Sequence, residues 1–186
     1  PDKLHFSEHS QILMLLGGAI EGDAAEACFE KLVSAPDLAR TSVYFRYYLF
    51  ETYFRFNRAD LFFKGLGLWE DYLKLGCTTT IESPENSRSN ARSDCHAWGS
   101  HPIYFLRAHV AGIRPDTPFF ERVRIAPQPG HLKSIVAEWP HPSGKKIKVE
   151  LKVDGEKISG AVATPVPGVF VWNGREVEIK AGDNQV

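Results

Sequence analysis

Cysteine is scarce and badly spaced for cross-linking. Cys28, Cys77 and Cys95 are an odd number, and no C-x-x-C pair occurs, so neither a disulfide framework nor a cysteine zinc site is expected. Cys95 adjoins His96, and neighbouring side chains diverge, which argues against a thiolate–imidazole nucleophile. Long apolar runs are lacking too: the longest, Ile12 to Ile20, contains two glycines and is too short to span a bilayer. The opening residues do not read as a secretory leader, and a start at Pro1 without Met is expected for a piece of a longer protein. Charge of one sign is absent: 22 basic against 23 acidic residues leave a net charge of −1. That balance argues against nucleic acid as a partner. G-x-S-x-G, Walker, G-x-G-x-x-G and H-E-x-x-H motifs are all missing, which excludes the serine-hydrolase, P-loop, dinucleotide and zincin readings. No cofactor and no metal are expected. The unpaired cysteines favour a reducing compartment, with an exported location also open.

What is there suits a globular chain. The 186 residues are 43% hydrophobic and 24% charged, enough for a real core in one ordinary domain or two small ones. The periodicity of the apolar residues changes near Pro115. Before it they fall at helical spacing; after it they alternate with charged ones.

Ile12, Leu15, Leu16 and Ala19 share a helical stripe, with Ser7 placed as the cap and an end near Gly22. Asp23 and Glu26 have capping-box spacing for a second helix that Ala35-Pro36 would stop. A third helix is expected from Thr41 or Ser42 to about Asn57, a fourth from Asp60 to Gly76, and another over 101–112 with Pro102 in its first turn. Beyond Phe119 the pattern is that of strands. Ile147, Val149, Leu151 and Val153 alternate with charged residues, and Asp154-Gly155 and Asn173-Gly174 mark hairpin turns. Helices followed by five or six strands read as two units joined around 115–118.

The third and fourth helices carry most of the aromatic side chains, on all sides, as expected of helices buried among other helices. The functional alternative is that a few of these residues, Tyr44 and Tyr48 among them, line a sugar pocket. If the aromatic faces lack their neighbours, self-association through them is expected. Residues 76–93 form a long polar stretch, of a kind that in compact domains is functional or disordered. Glu82, Glu85, Arg88, Arg92, Asp94, His96 and Trp98 lie in or just after it. Carboxylate, guanidinium, imidazole and indole groups together are what a carbohydrate site requires, because sugar hydroxyls take forked hydrogen bonds and apolar sugar faces stack on rings.

The run Gly76-Cys77-Thr78-Thr79-Thr80-Ile81-Glu82, followed by Arg92-Ser93-Asp94-Cys95-His96-Ala97-Trp98-Gly99, resembles the bacterial α-L-rhamnosidases of glycoside hydrolase family 78. Phe6-Ser7-Glu8-His9, Tyr44-Phe45-Arg46-Tyr47-Tyr48-Leu49, Gly112-Ile113-Arg114-Pro115 and Pro140-His141-Pro142-Ser143-Gly144 continue the likeness along essentially the whole chain. The resemblance implies the last helices of an (α/α)6 barrel over 1–115 and a small antiparallel β-sandwich over 116–186. It implies removal of terminal α-L-rhamnose with inversion, by two carboxyl groups about 6.5–9.5 Å apart. Glu82 matches the general-base position and His96 the sugar-contacting histidine, with Arg92 and Asp94 orienting it. The general acid belongs to an earlier D-x-x-R-x-E type segment that this sequence lacks, so the chain is expected to be inactive alone. Its partners would be a rhamnose-containing glycoside and the missing N-terminal part of the same enzyme, with no membrane. A carbohydrate-binding module on the sandwich, using Trp139, Trp172 and Pro140-His141-Pro142, is the alternative from another class. A related barrel enzyme such as an unsaturated glucuronyl hydrolase shares the architecture but not these motifs.

Overall fold

A computed structural model of the chain describes residues 6–82, 93 and 95–186. It divides into two compact units, with the division between Pro102 and Ile103.

The first unit is helical. α1 (Glu8–Leu16) opens on Ser7, whose Oγ accepts from the Ser10 N–H at 3.4 Å, and buries Ile12 and Leu15. It stops at Gly17, so Ala19 lies outside the helix. α2 (Gly22–Ser34) lacks the expected capping box: Glu21 is the N-cap and makes no side-chain capping bond. It ends where expected, with Ala35 extended before Pro36. α3 (Arg46–Arg55) begins later than its pattern suggests, because residues 43–45 form a turn in which Ser42 Oγ accepts from the Phe45 N–H.

The single fourth helix expected is two, α4 (Ala59–Gly65) and α5 (Gly67–Lys74), separated at Leu66. Packing explains the glycine at the end of α4. A Cβ on Gly65 would lie 2.7 Å from Phe50 Cε1, so the missing side chain is what admits the Phe50 ring.

That ring is the centre of an aromatic core. Phe50, Phe54 and Phe62 are buried, with Phe62 edge-on to Phe50 at 5.0 Å and tilted against Phe54 at 5.0 Å. Trp69 and His101 pack against Phe50 at 5.9 and 5.5 Å. His101 Nε2 meets the Val43 carbonyl at 3.1 Å, and burial pushes its imidazole below the usual histidine range.

Glu8 is buried as well, and both carboxylate oxygens are used. Oε1 takes Arg40 Nη1 at 2.7 Å and Oε2 takes the Thr41 N–H at 2.6 Å, which ties the start of α1 to the segment before α3.

Burial pushes the Tyr53 phenol up to about 12, assisted by the Glu8 charge. A folded-state value above the unfolded one (about 10) means that the neutral phenol stabilises the fold. That contribution is whole below about pH 10 and is lost as pH rises through the folded value. Ultraviolet titration should therefore show a late-ionising phenol near pH 12, and Tyr53→Phe should lower the late amplitude by one tyrosine. A late amplitude that the substitution leaves unchanged would contradict the assignment.

The helix that starts at Pro102 is not uniformly α. α6 (Pro102–Phe105) gives way to a π-helical turn at Leu106–Val110. Eight strands follow in two four-stranded sheets. β1 (Ile113–Pro115), β2 (Val123–Ile125), β6 (Gly168–Trp172) and β7 (Arg175–Ile179) form one, in the order β1-β2-β6-β7. β3 (Ser134–Pro140), β4 (Lys146–Asp154), β5 (Lys157–Thr164) and β8 (Gly182–Gln185) form the other, in the order β3-β4-β5-β8.

The inward residues of both sheets, including Ile113, Ile125, Ile147, Val149, Val162 and Phe170, make one core, as in a sandwich. In β4, Ile147, Val149 and Leu151 are buried between exposed charged neighbours, as the alternation requires. Asn173 and Gly174 both adopt positive φ in the β6–β7 turn, the geometry of a type I′ hairpin.

One pairing departs from an all-antiparallel sandwich: β2 and β6 run parallel. The chain leaves β2 for the other sheet and returns beside it. Gly168 permits the approach, since a Cβ there would lie 2.0 Å from the Val123 carbonyl oxygen. Gly112, at φ +76, is equally constrained before β1: a Cβ would lie 2.2 Å from the Ala126 carbonyl carbon.

Candidate active site

The site is built where the polar stretch folds back on itself. The His96 N–H donates to the Thr80 carbonyl at 2.8 Å, and the Glu82 N–H donates to the Ser93 carbonyl at 3.1 Å. Thr80 Oγ1 donates to the His96 carbonyl at 2.5 Å. Residues 80–82 are thus tied to Ser93 and His96, although neither segment is a strand.

Apolar anchors hold this ladder from below. Cys77 and Ile81 are buried with Val43 and Tyr72, and Leu68, Trp69 and Leu75 pack around them. A single 3₁₀ turn, Ala97–Ser100, follows His96. Trp69 Nε1 donates to the Gly99 carbonyl at 2.6 Å, and a Cβ on Gly99 would lie 2.8 Å from Thr80 Cβ. Only a glycine lets the turn press so closely on the ladder.

On this frame Glu82 Oε2 stands 3.9 Å from His96 Nδ1, with both side chains about four-fifths buried (17% and 23% exposed). His96 Nδ1 is itself buried and makes no hydrogen bond. The imidazole lies against Trp98, ring centroids 4.2 Å apart. Trp98 meets Tyr44 edge-on at 5.4 Å, and Tyr44 meets Tyr48 at 6.2 Å. Trp98 and Tyr44 are 43% and 47% exposed, so two large rings face solvent beside a partly sheltered carboxylate. Hydrogen bonding with Tyr44 pushes the Tyr48 phenol up. A carboxylate that can take a proton, next to rings on which an apolar sugar face can stack, fits a glycoside-binding site.

The structure therefore brings together Glu82, His96 and, from the segment before α3, Tyr44. Trp98 completes the group; its two-residue spacing from His96 was the signal for it in the sequence. Arg92 and Asp94 lie outside the described residues, as do Glu85 and Arg88. Cys28, Cys77 and Cys95 are free thiols. Among the described residues, no group of three or more His, Cys, Asp or Glu is placed to hold a metal ion, and no helix is long and apolar enough to cross a membrane.

The sandwich residues weighed as a sugar platform have structural employment. Trp139 is partly buried against the sheet core, and Trp172 Nε1 donates to the Glu156 carbonyl at 2.6 Å. His141 uses both ring nitrogens, Nδ1 with Ser143 Oγ at 2.8 Å and Nε2 with the Phe120 carbonyl at 2.9 Å.

Comparison with known proteins agrees with this architecture. Residues 112–169 match the sequence model of the bacterial alpha-L-rhamnosidase C-terminal domain. No curated protein matches in sequence. Among solved structures, the rhamnosidase of Bacillus sp. GL1, of glycoside hydrolase family 78, superposes over 84% of this chain with TM-score 0.76 and 24% identity. The alpha-L-rhamnosidase of Aspergillus terreus covers 97% of it with TM-score 0.81 and 18% identity. The Streptomyces avermitilis enzyme, solved in complex with L-rhamnose, covers 96% with TM-score 0.78 and 16% identity. In turn this chain covers 18%, 24% and 21% of those three chains. The chain thus shares the fold of the C-terminal part of α-L-rhamnosidases, helices followed by a β-sandwich, and spans about a fifth of their length.

Proposed function

We propose that this chain is the C-terminal part of an inverting α-L-rhamnosidase that hydrolyses terminal α-L-rhamnosides. On that reading the helices of the first unit are the last of the catalytic (α/α)6 barrel, and the strands from Ile113 onward are its closing sandwich. Glu82 is the general base, His96 contacts the sugar, and Arg92 and Asp94 orient that contact. The observation that supports this most is the Glu82–His96 pair, 3.9 Å apart beside the exposed rings of Trp98 and Tyr44, on a fold shared with rhamnosidases.

Inversion needs a second carboxyl group to protonate the leaving oxygen while Glu82 takes a proton from water on the opposite sugar face. The chain has no segment of the acid's type, and it spans only a fraction of its structural relatives. The acid comes from the rest of the enzyme. Without it, positioned proton transfer worth about 10²–10⁴-fold in rate is gone, and half the pocket that orients the sugar goes with it.

The isolated 186-residue chain should therefore show no turnover of an aryl α-L-rhamnoside above the buffer rate. Turnover that Glu82→Gln abolishes would show instead that the chain holds a complete acid–base pair.

A further inference from the structure

His96 has one nitrogen whose position the sugar contact does not explain. Nδ1 is buried, makes no hydrogen bond, and faces Glu82 Oε2 across 3.9 Å, which is beyond a hydrogen bond. The backbones that carry the two side chains are tied. The His96 backbone is held on both sides by Thr80, and Glu82 is held through its N–H by Ser93. Trp98 braces the imidazole at 4.2 Å. Leaving a buried ring nitrogen unsatisfied is unfavourable, so a frame that holds it there calls for a ligand. A water molecule with contacts of about 2.8 Å to both atoms bridges a gap of this width.

Taking Glu82 as the base, we propose that His96 is also a positioning residue for the attacking water, held between Nδ1 and Glu82 Oε2. Nδ1–H donates to the water oxygen, and one water O–H donates to the carboxylate. The remaining lone pair is then directed at the anomeric carbon. As the new C–O bond forms, the water proton passes to Glu82. The glycosidic C–O bond breaks, and its oxygen takes a proton from the carboxylic acid supplied by the rest of the enzyme. Nε2 is left for a sugar hydroxyl, so the two nitrogens of one ring do separate tasks.

Two substitutions separate those tasks, because an Asn amide nitrogen reaches the place of Nδ1 and a Gln amide nitrogen that of Nε2. In the full-length protein, His96→Asn should keep kcat within about tenfold while KM rises, and His96→Gln should keep KM while kcat falls about a hundredfold, the size expected for a misplaced reactant. The reverse pattern, or losses confined to KM in both, would overturn the water-holding role. Should either variant misfold, long-range ¹H–¹⁵N spectra of the unsubstituted 186-residue chain at about pH 8, where histidine is ordinarily neutral, decide the matter. The Nδ1–H tautomer is expected, and the Nε2–H tautomer would overturn the proposal. Full activity in Glu82→Gln would sink the base assignment itself. A slow Glu82→Gln with unimpaired kcat in both His96 variants would sink only the water-holding role.

Discussion

In the full-length protein proposed above, Glu82→Gln should lower kcat for an aryl α-L-rhamnoside by about 10²–10⁴-fold, the usual worth of a positioned proton acceptor. KM should change little. Gln keeps the shape of Glu and can still hydrogen-bond water, but it cannot take the proton, so the loss falls on the transition state. The backbone tie from the Glu82 N–H to Ser93 is unaffected by the change, and the cluster that anchors the loop is Cys77, Ile81, Val43 and Tyr72. The thermal midpoint should accordingly stay within a few degrees of the parent's. A drop in kcat alongside a collapse in stability would point to a structural role for Glu82.

The second large effect lies in the helical unit. Phe50→Ala should destabilise it by about 3–5 kcal/mol, the cost of deleting a fully buried aromatic ring and leaving a cavity. Phe50 has no exposed surface and meets Phe62, Trp69 and His101. The glycine opposite it, Gly65, has no side chain with which to fill the space. Trp69 also holds the Gly99 carbonyl of the turn after His96, so the void should loosen the site as well as the core. Chemical denaturation measures the loss. A cost below about 1 kcal/mol would mean that the aromatic cluster collapses around the hole, contrary to the tight packing described here.

What could be read in the sequence was local. The strand alternation of Ile147, Val149 and Leu151, the Asn173-Gly174 turn, the Ser7 cap and the stop at Ala35-Pro36 each depend on a few neighbouring residues, and each is present. The features that were missed depend on distant partners. The α4–α5 separation follows glycines, one of them set against Phe50 of another helix. The parallel β2–β6 ladder joins strands separated in sequence by β3, β4 and β5. The Asp23–Glu26 spacing suits a capping box, but the helix starts two residues earlier, with Glu21 at its cap.

The site divides in the same way. Glu82 and His96 could be named from the motifs around them, but nothing in their spacing says that the two side chains face each other. That follows from the Thr80–His96 and Glu82–Ser93 backbone bonds. The contribution of Tyr44 to the Trp98 surface is a tertiary contact that no local pattern encodes.

Azide rescue tests the role of Glu82 most directly. In the full-length Glu82→Ala protein, hydrolysis of an aryl α-L-rhamnoside should nearly cease, and added azide, which needs no base, should restore turnover with β-L-rhamnosyl azide as the product. An Ala variant that hydrolyses normally without azide, or whose azide product retains the α configuration, would contradict the assignment of Glu82 as the base of an inverting enzyme.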